Sequence, residues 1–349
     1  MHIPSNRHYS EFYAICSGVL NGAVTALNPV LTKPPLRIAD LLCVGLANTD
    51  MDWLGLKDFL IACLIFVPLE RLVAMHPEQK IFRRDWYNDL IYLFLNSFLI
   101  KLGLVILVLG IISAAGWLVS ESLQAMVAAQ PYWLQIGEMI VLGDVGFYCA
   151  HRAFHAVPWL WKFHQVHHSI EELDWLAAAR VHPVDQILTK GASLLPIFAL
   201  GFSEIAIGTY VTMYYWQAFL IHANVRISFG PLRWVLASPE FHHWHHSNHT
   251  EAQNKNFAGQ LPALDLLLGT LHMPRGRVPS RYGIDEPVPH TYISQLLHPF
   301  GSASEKEHAT HAAEKNLPAM KSCGMPAMPY RAPSCAVGAA HLFHNGSAR

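Results

Sequence analysis

Residues 102–120, LGLVILVLGIISAAGWLVS, run for nineteen positions without a charged side chain. A helix rises about 1.5 Å per residue, so this stretch is long enough to cross about 30 Å of hydrocarbon. The rest of the chain agrees with a membrane setting: 14% of its 349 residues are charged, against about 25% in an ordinary soluble protein. The 24 Lys and Arg balance the 25 Asp and Glu, leaving no basic field of the kind that binds nucleic acid. Cysteines at 16, 43, 63, 149, 323 and 335 form no CxxC pair and suggest neither a disulfide framework nor a zinc knuckle.

Other segments extend the pattern. Residues 90–100 are apolar and separated from the first run only by Lys101, so 87–120 reads as one long helix or a tight pair. Residues 53–69 make a shorter candidate span, and 12–31, diluted by Asn21, Asn28, Gly18 and Gly22, reads as a weak span, an interfacial helix or an uncleaved signal-like segment. Arg71, Lys80, Arg83 and Arg84 between these candidates place the 71–85 loop on the cytoplasmic side. Residues 132–150 are apolar but carry Glu138 and Asp144, and an ionisable group at membrane depth is a functional candidate by default. Residues 186–225 hold two apolar runs hinged around Pro196, Gly201 and Glu204, enough for a down-and-back hairpin.

Histidine is the anomaly. Twelve of the 22 histidines fall in two windows, His151 to His182 and His222 to His249. In HRAFH, His151 and His155 stand four apart on one helix face. In HQVHH, His164, His167 and His168 stand at i, i+3 and i+4, and in HHWHH, His242, His245 and His246 repeat that spacing. Imidazoles so spaced offer nitrogen ligands from successive helical turns. Eight exceed what one ion takes, so the pattern implies two metal ions. His182 and His222 flank the hairpin and join the cluster if the hairpin returns the chain to the same face. No HExxH occurs, which removes the usual metalloprotease reading.

Asp144, Tyr148, His151 and His155 form one helical stripe, from which Asp144 either orients a ligating imidazole through its other N–H, pairs with Arg152 or caps a helix. His243 and His249 lie off the repeating pattern and are equally open to a supporting role. Lone histidines such as His76, His272 and His290, and the tail histidines, read as loop residues.

In order and spacing, HRAFH, LWKFHQVHHS, RVHP, HAN and SPEFHHWHHS, followed by Asn256-Phe257-Ala258 and LDLLLGT, resemble the fatty acid hydroxylase/sterol desaturase superfamily over residues 85–275. The resemblance implies an integral-membrane, non-haem di-iron oxidoreductase that uses O₂ and electrons to hydroxylate or desaturate a lipid C–H bond. By that match His151, His155, His164, His167, His168, His242, His245 and His246 are the family's eight histidines. His182 and His222 match further positions that complete the coordination, and Asn256 and Asp265 stand as supporting residues with Asp144 and Tyr148. The family often has Asn-Tyr-Gly at 256–258 and Trp before Asp265, where this chain has Asn-Phe-Ala and Leu264. No HPGG haem motif occurs, so electrons come from a separate protein, a b5-type cytochrome or a ferredoxin with its reductase.

The expected fold is an all-α integral membrane protein of about four transmembrane or re-entrant helices, with a cytoplasmic, helical, histidine-rich cap holding a dimetal site. It divides into a weakly apolar segment over 1–50, a membrane-embedded catalytic domain over 51–275 with its motifs in 144–275, and a largely disordered extension over 276–349. The expected home is a bacterial inner membrane or the endoplasmic reticulum. The competing functional class is a histidine-rich membrane metal transporter or metal-binding protein without oxygenase activity, and a bis-histidine haem protein is a third.

Overall fold

The structure, a computed structural model, describes residues 55–301. The segment over 1–50, the candidate span at 12–31 and most of the 276–349 extension lie outside the described residues. Within them the chain is all-helical, and its only extended pairings are the isolated bridges Ala74 with Val225 and Ser247 with Tyr282.

Helix α1 (Leu56–Leu72) leads to α2 (Trp86–Ile91), a π-turn (Tyr92–Asn96) and α3 (Ser97–Leu118). The last three are continuous, so residues 86–118 form one long helix and not a pair. The wide turn buries Tyr92 and Asn96, and the Asn96 amide donates to the Val181 carbonyl at 2.8 Å. Among the described residues, the stretch Trp86–Ile111 is long and apolar enough to cross a membrane by length and composition. Leu95, Phe98, Leu102 and Ile106 are exposed along it, an apolar surface of the kind lipid or a partner covers.

A short α4 (Glu121–Ala128) precedes α5 (Tyr132–Ala156) and α6 (Pro158–His168). The hairpin follows as α7 (Pro183–Leu200) and α8 (Glu204–His222), turned at Gly201, whose φ of 73° needs a residue without a Cβ. Its limbs are 18 and 19 residues long, each a little under 30 Å, so His182 and His222 return to the same end.

Helix α7 packs against both α3 and α5, and α8 against α5. The α5–α7 contact depends on Gly146: a Cβ there would lie 2.2 Å from the Ala192 carbonyl oxygen. Where α5, α7 and α8 end, the short helices α6, α9 (Pro239–His245) and α10 (Pro262–Leu267) gather with several 3₁₀ turns, and α11 (Tyr292–Leu297) lies further along. This cap is tied to the long helices by buried ion pairs, in which Asp89 accepts from both Arg83 and Arg180 while Arg83 also binds Asp174.

Candidate metal centre

Each histidine motif opens or closes a helix in the cap. Proline at the first helical position starts α6, α7 and α9, its missing N–H costing nothing there. The Ser238 hydroxyl accepts from the Phe241 N–H and fixes the start of α9. The short helices α6 and α9, with the ends of α5 and α8, bring nine imidazoles into two groups, each with its ligand atoms within 4.8 Å of one another. His151, His155, His164, His168 and His245 form one; His167, His222, His242 and His246 form the other.

The hydrogen bonds on the outer side of these rings decide which nitrogen faces inward. His151 Nδ1 donates to the Phe257 carbonyl (2.7 Å), His167 Nδ1 to Arg180 (3.0 Å), His222 Nδ1 to Ala218 (2.7 Å) and His245 Nδ1 to Lys255 (2.8 Å). A carbonyl can only accept, so in each ring the proton sits on Nδ1 and the Nε2 lone pair points in. His164 Nδ1 meets the Asp185 carboxylate at 2.7 Å with the same result. The inward lone pairs then face one another: His151 Nε2 and His164 Nε2 are 3.0 Å apart, and His167 Nε2 and His222 Nε2 3.3 Å. Two lone pairs at that distance repel unless a cation lies between them. Donors at right angles around an ion, each about 2.1 Å from it, sit about 3.0 Å apart. His242 Nε2 is 3.0 Å from both His222 Nε2 and His246 Nε2, and His168 Nε2 3.1 Å from His164 Nε2.

The Nε2 atoms of His155 and His245 are also buried with no hydrogen-bond partner, a costly condition that ligation removes. Burial and the neighbouring imidazoles push His164, His167, His168, His242, His245 and His246 well below the ordinary imidazole value, so these rings are neutral and ready to ligate. Imidazole sets of this kind suit iron, zinc, copper or nickel.

His182 joins neither group. Its Nδ1 accepts from the Val184 N–H at 3.1 Å, capping α7, and its Nε2 donates to the Leu296 carbonyl at 3.2 Å, so neither nitrogen is left for a metal. His243 is likewise spent: it takes a hydrogen bond from the Tyr282 hydroxyl (2.7 Å) and donates to the His222 and Ala223 carbonyls, holding the end of α8 in place. His249 lies at 3.2 Å from the Ser280 N–H, away from both groups.

Asp144 touches no ligand and neither pairs with Arg152 nor caps a helix. Its carboxylate accepts the N–H groups of Gly259, Gln260 and Leu261 at 2.7–2.9 Å. Asp265 accepts those of Phe257 and Ala258 at 2.8 Å. Two carboxylates thus clamp the loop whose Phe257 carbonyl orients His151. The fully buried Asn256, at φ 58°, bonds the Phe241 carbonyl and the His272 backbone, tying α9 to the same loop. The Tyr148 hydroxyl lies 2.9 Å from Thr270 Oγ1, which donates to Asp265. Asp185 is the outer carboxylate that sequence reasoning missed. The signal was present: it is the lone acid of an apolar helix.

A cavity of about 380 Å³ opens beside both groups, its apolar wall built by Leu93 and Leu104 near the start of the long helix and by Tyr210, Val211 and Tyr214 of α8. His151, His164, His167, His222 and His242 stand at one end.

Comparison with known proteins agrees with this geometry. Residues 136–270 match the fatty acid hydroxylase family model. Ornithine lipid hydroxylase of Rhizobium tropici is 24% identical over 278 residues, 76% of this chain and 84% of its own length. Human alkylglycerol monooxygenase is 32% identical over 145 residues, covering 42% of this chain but 32% of that protein, so the chain aligns with about a third of such relatives. A putative methylsterol monooxygenase of Dictyostelium discoideum is 26% identical over 211 residues, 59% of this chain and 75% of its own length. No solved structure matches. With the histidine motifs all inside the matched region, the chain belongs to the fatty acid hydroxylase/sterol desaturase superfamily. Its relatives are lipid-modifying hydroxylases and monooxygenases, which makes an oxidoreductase the class of enzyme supported here.

Proposed function

We propose that this protein is a membrane-bound di-iron oxygenase that hydroxylates or desaturates a C–H bond of a lipid, using O₂ and electrons from a separate b5-type cytochrome or ferredoxin. The observation that carries the reading is the facing of Nε2 lone pairs in two closed groups at the end of an apolar cavity. Iron bound there supplies O₂ activation and C–H oxidation. The ligands are His151, His155, His164, His168 and His245 for one ion and His167, His222, His242 and His246 for the other.

The chain's own contribution is placement. The Phe257, Arg180, Ala218 and Lys255 carbonyls and the Asp185 carboxylate hold five rings in one tautomer, so that each Nε2 lone pair faces inward. Leu93, Leu104, Tyr210 and Val211 exclude water from the cavity and accept an alkyl chain. We place the histidine end on the cytoplasmic side, following the basic 71–85 loop, with the long helices in an inner membrane or the endoplasmic reticulum. A lipid then enters from the bilayer without crossing water. The relative aligned over the greatest share of this chain among those described is named for ornithine lipid, which makes an amino-acid-bearing lipid the first substrate to try.

A transporter needs donors strung along a path through the membrane. Here nine donors gather in two groups at one end of the hairpin, which favours the enzyme. The test is purification with metal analysis and lipid mass spectrometry in the presence of a reductant. About two irons per chain and an O₂-dependent gain of oxygen or loss of two hydrogens are expected. Metal uptake into vesicles with no oxidised lipid would overturn the reading.

A further inference from the structure

The cavity has a second chemical end. Lys101 of α3 and Lys190 of α7 both line it. They are close enough for their charges to repel one another, and among the described residues no carboxylate pairs with either ammonium. Lys101 is the only formal charge on the helical run between Asp89 and Leu118, and Lys190 the only basic residue of α7. Lys190 is the more enclosed of the two and Lys101 is exposed; an ammonium with no counter-charge in an apolar setting is expensive and marks a ligand path. Asp185, the nearest acid in sequence on α7, is already committed to His164. The remaining polar groups nearby, Gln186, Thr189 and Ser193, are neutral.

We propose that Lys101 and Lys190 together bind an anionic group of the lipid substrate, a carboxylate or a phosphate. This rests on the lipid-oxygenase reading and extends it to the substrate's head group. The position also sets which carbon is oxidised. Asp185 touches a ligand ring and Lys190 lies five residues further along the same helix, about 7.5 Å away along its axis. An anion held there puts the head-proximal part of the chain, and not its far end, against the histidines.

The experiment measures binding of dodecanoate, dodecyl phosphate and dodecanol to the purified, iron-loaded protein by native mass spectrometry. The wild type should hold at least one of the two anions roughly ten-fold or more tightly than dodecanol, a charge-assisted hydrogen bond supplying that margin. Whether dodecanoate or dodecyl phosphate binds better tells which anion the lipid head carries. The double variant K101M/K190M should lose the preference with its iron content unchanged, and K101R/K190R should keep it. Dodecanol bound as tightly as both anions by the wild type overturns the proposal, even if a variant fails to fold. So does a preference that survives in K101M/K190M, since the lysines would then merely reach for the membrane surface. In membranes, the new hydroxyl or double bond should map close to the lipid head group by fragmentation. Anion binding without any O₂-dependent product sinks the oxygenase reading alone; product formed without regard to head-group charge sinks the lysine site alone.

Discussion

The two histidine groups are built from the same parts in opposite proportion. On α6 the i, i+4 pair His164 and His168 serves the five-histidine group while His167 crosses to the other; on α9 the pair His242 and His246 serves the four-histidine group while His245 crosses back. Each group is completed by one long helix, α5 through His151 and His155 or α8 through His222. The five-membered group is braced by the Phe257 and Lys255 carbonyls and by a carboxylate, Asp185, and the four-membered group by carbonyls of Arg180 and Ala218 alone. With one donor fewer, the four-histidine group would leave a bound metal more open to a reactant, and the five-histidine group would hold one more firmly.

The sharpest way to break that contrast is to remove the ring on which most depends. His242→Ala takes from the four-membered group the nitrogen that lies 3.0 Å from two others, and should abolish lipid oxidation while iron falls from about two to about one per chain. Iron analysis that still finds both ions would show the groups wrongly divided. Asp185→Asn removes the charge behind His164 and should weaken iron at the five-membered group about 10- to 100-fold, with the other group weakened less and only through the shared helices; competition with a chelator reads the difference. Gly146→Ala stands outside the contrast. It forces α5 from α7 at the Ala192 carbonyl and should cost about 1–3 kcal/mol, seen as a lower Tm with both groups affected alike. His182→Ala should have the smallest effect, about 1 kcal/mol from a lost helix cap and no loss of iron. Iron lost from that variant would return His182 to the ligands.

Much of this was legible in the sequence. Spacing announced eight of the nine gathered imidazoles, because rings at i, i+3 or i+4 share a helix face with their neighbours. It could not announce the partition, since His167 and His245 leave their own face-mates through small differences in ring direction that only the packed cap determines. His182 misled because a histidine before a proline looks the same whether it caps the next helix or binds a metal. Asp144 was located correctly as a buried acid of the stripe, but its partners, three backbone N–H groups more than a hundred residues on, carry no sequence pattern. The continuity of 87–120 was open because Lys101 interrupts the apolar run without interrupting the helix.

The crossing of His167 and His245 has a consequence for how the centre fills. Whichever ion arrives first orders both α6 and α9, and those helices carry donors for the second. A second ion would then meet rings already in position and bind more tightly than it would alone. Titrated with limiting metal, the protein should divide into empty and doubly loaded molecules, with singly loaded ones scarce, so that the pair of ions behaves as a single switch.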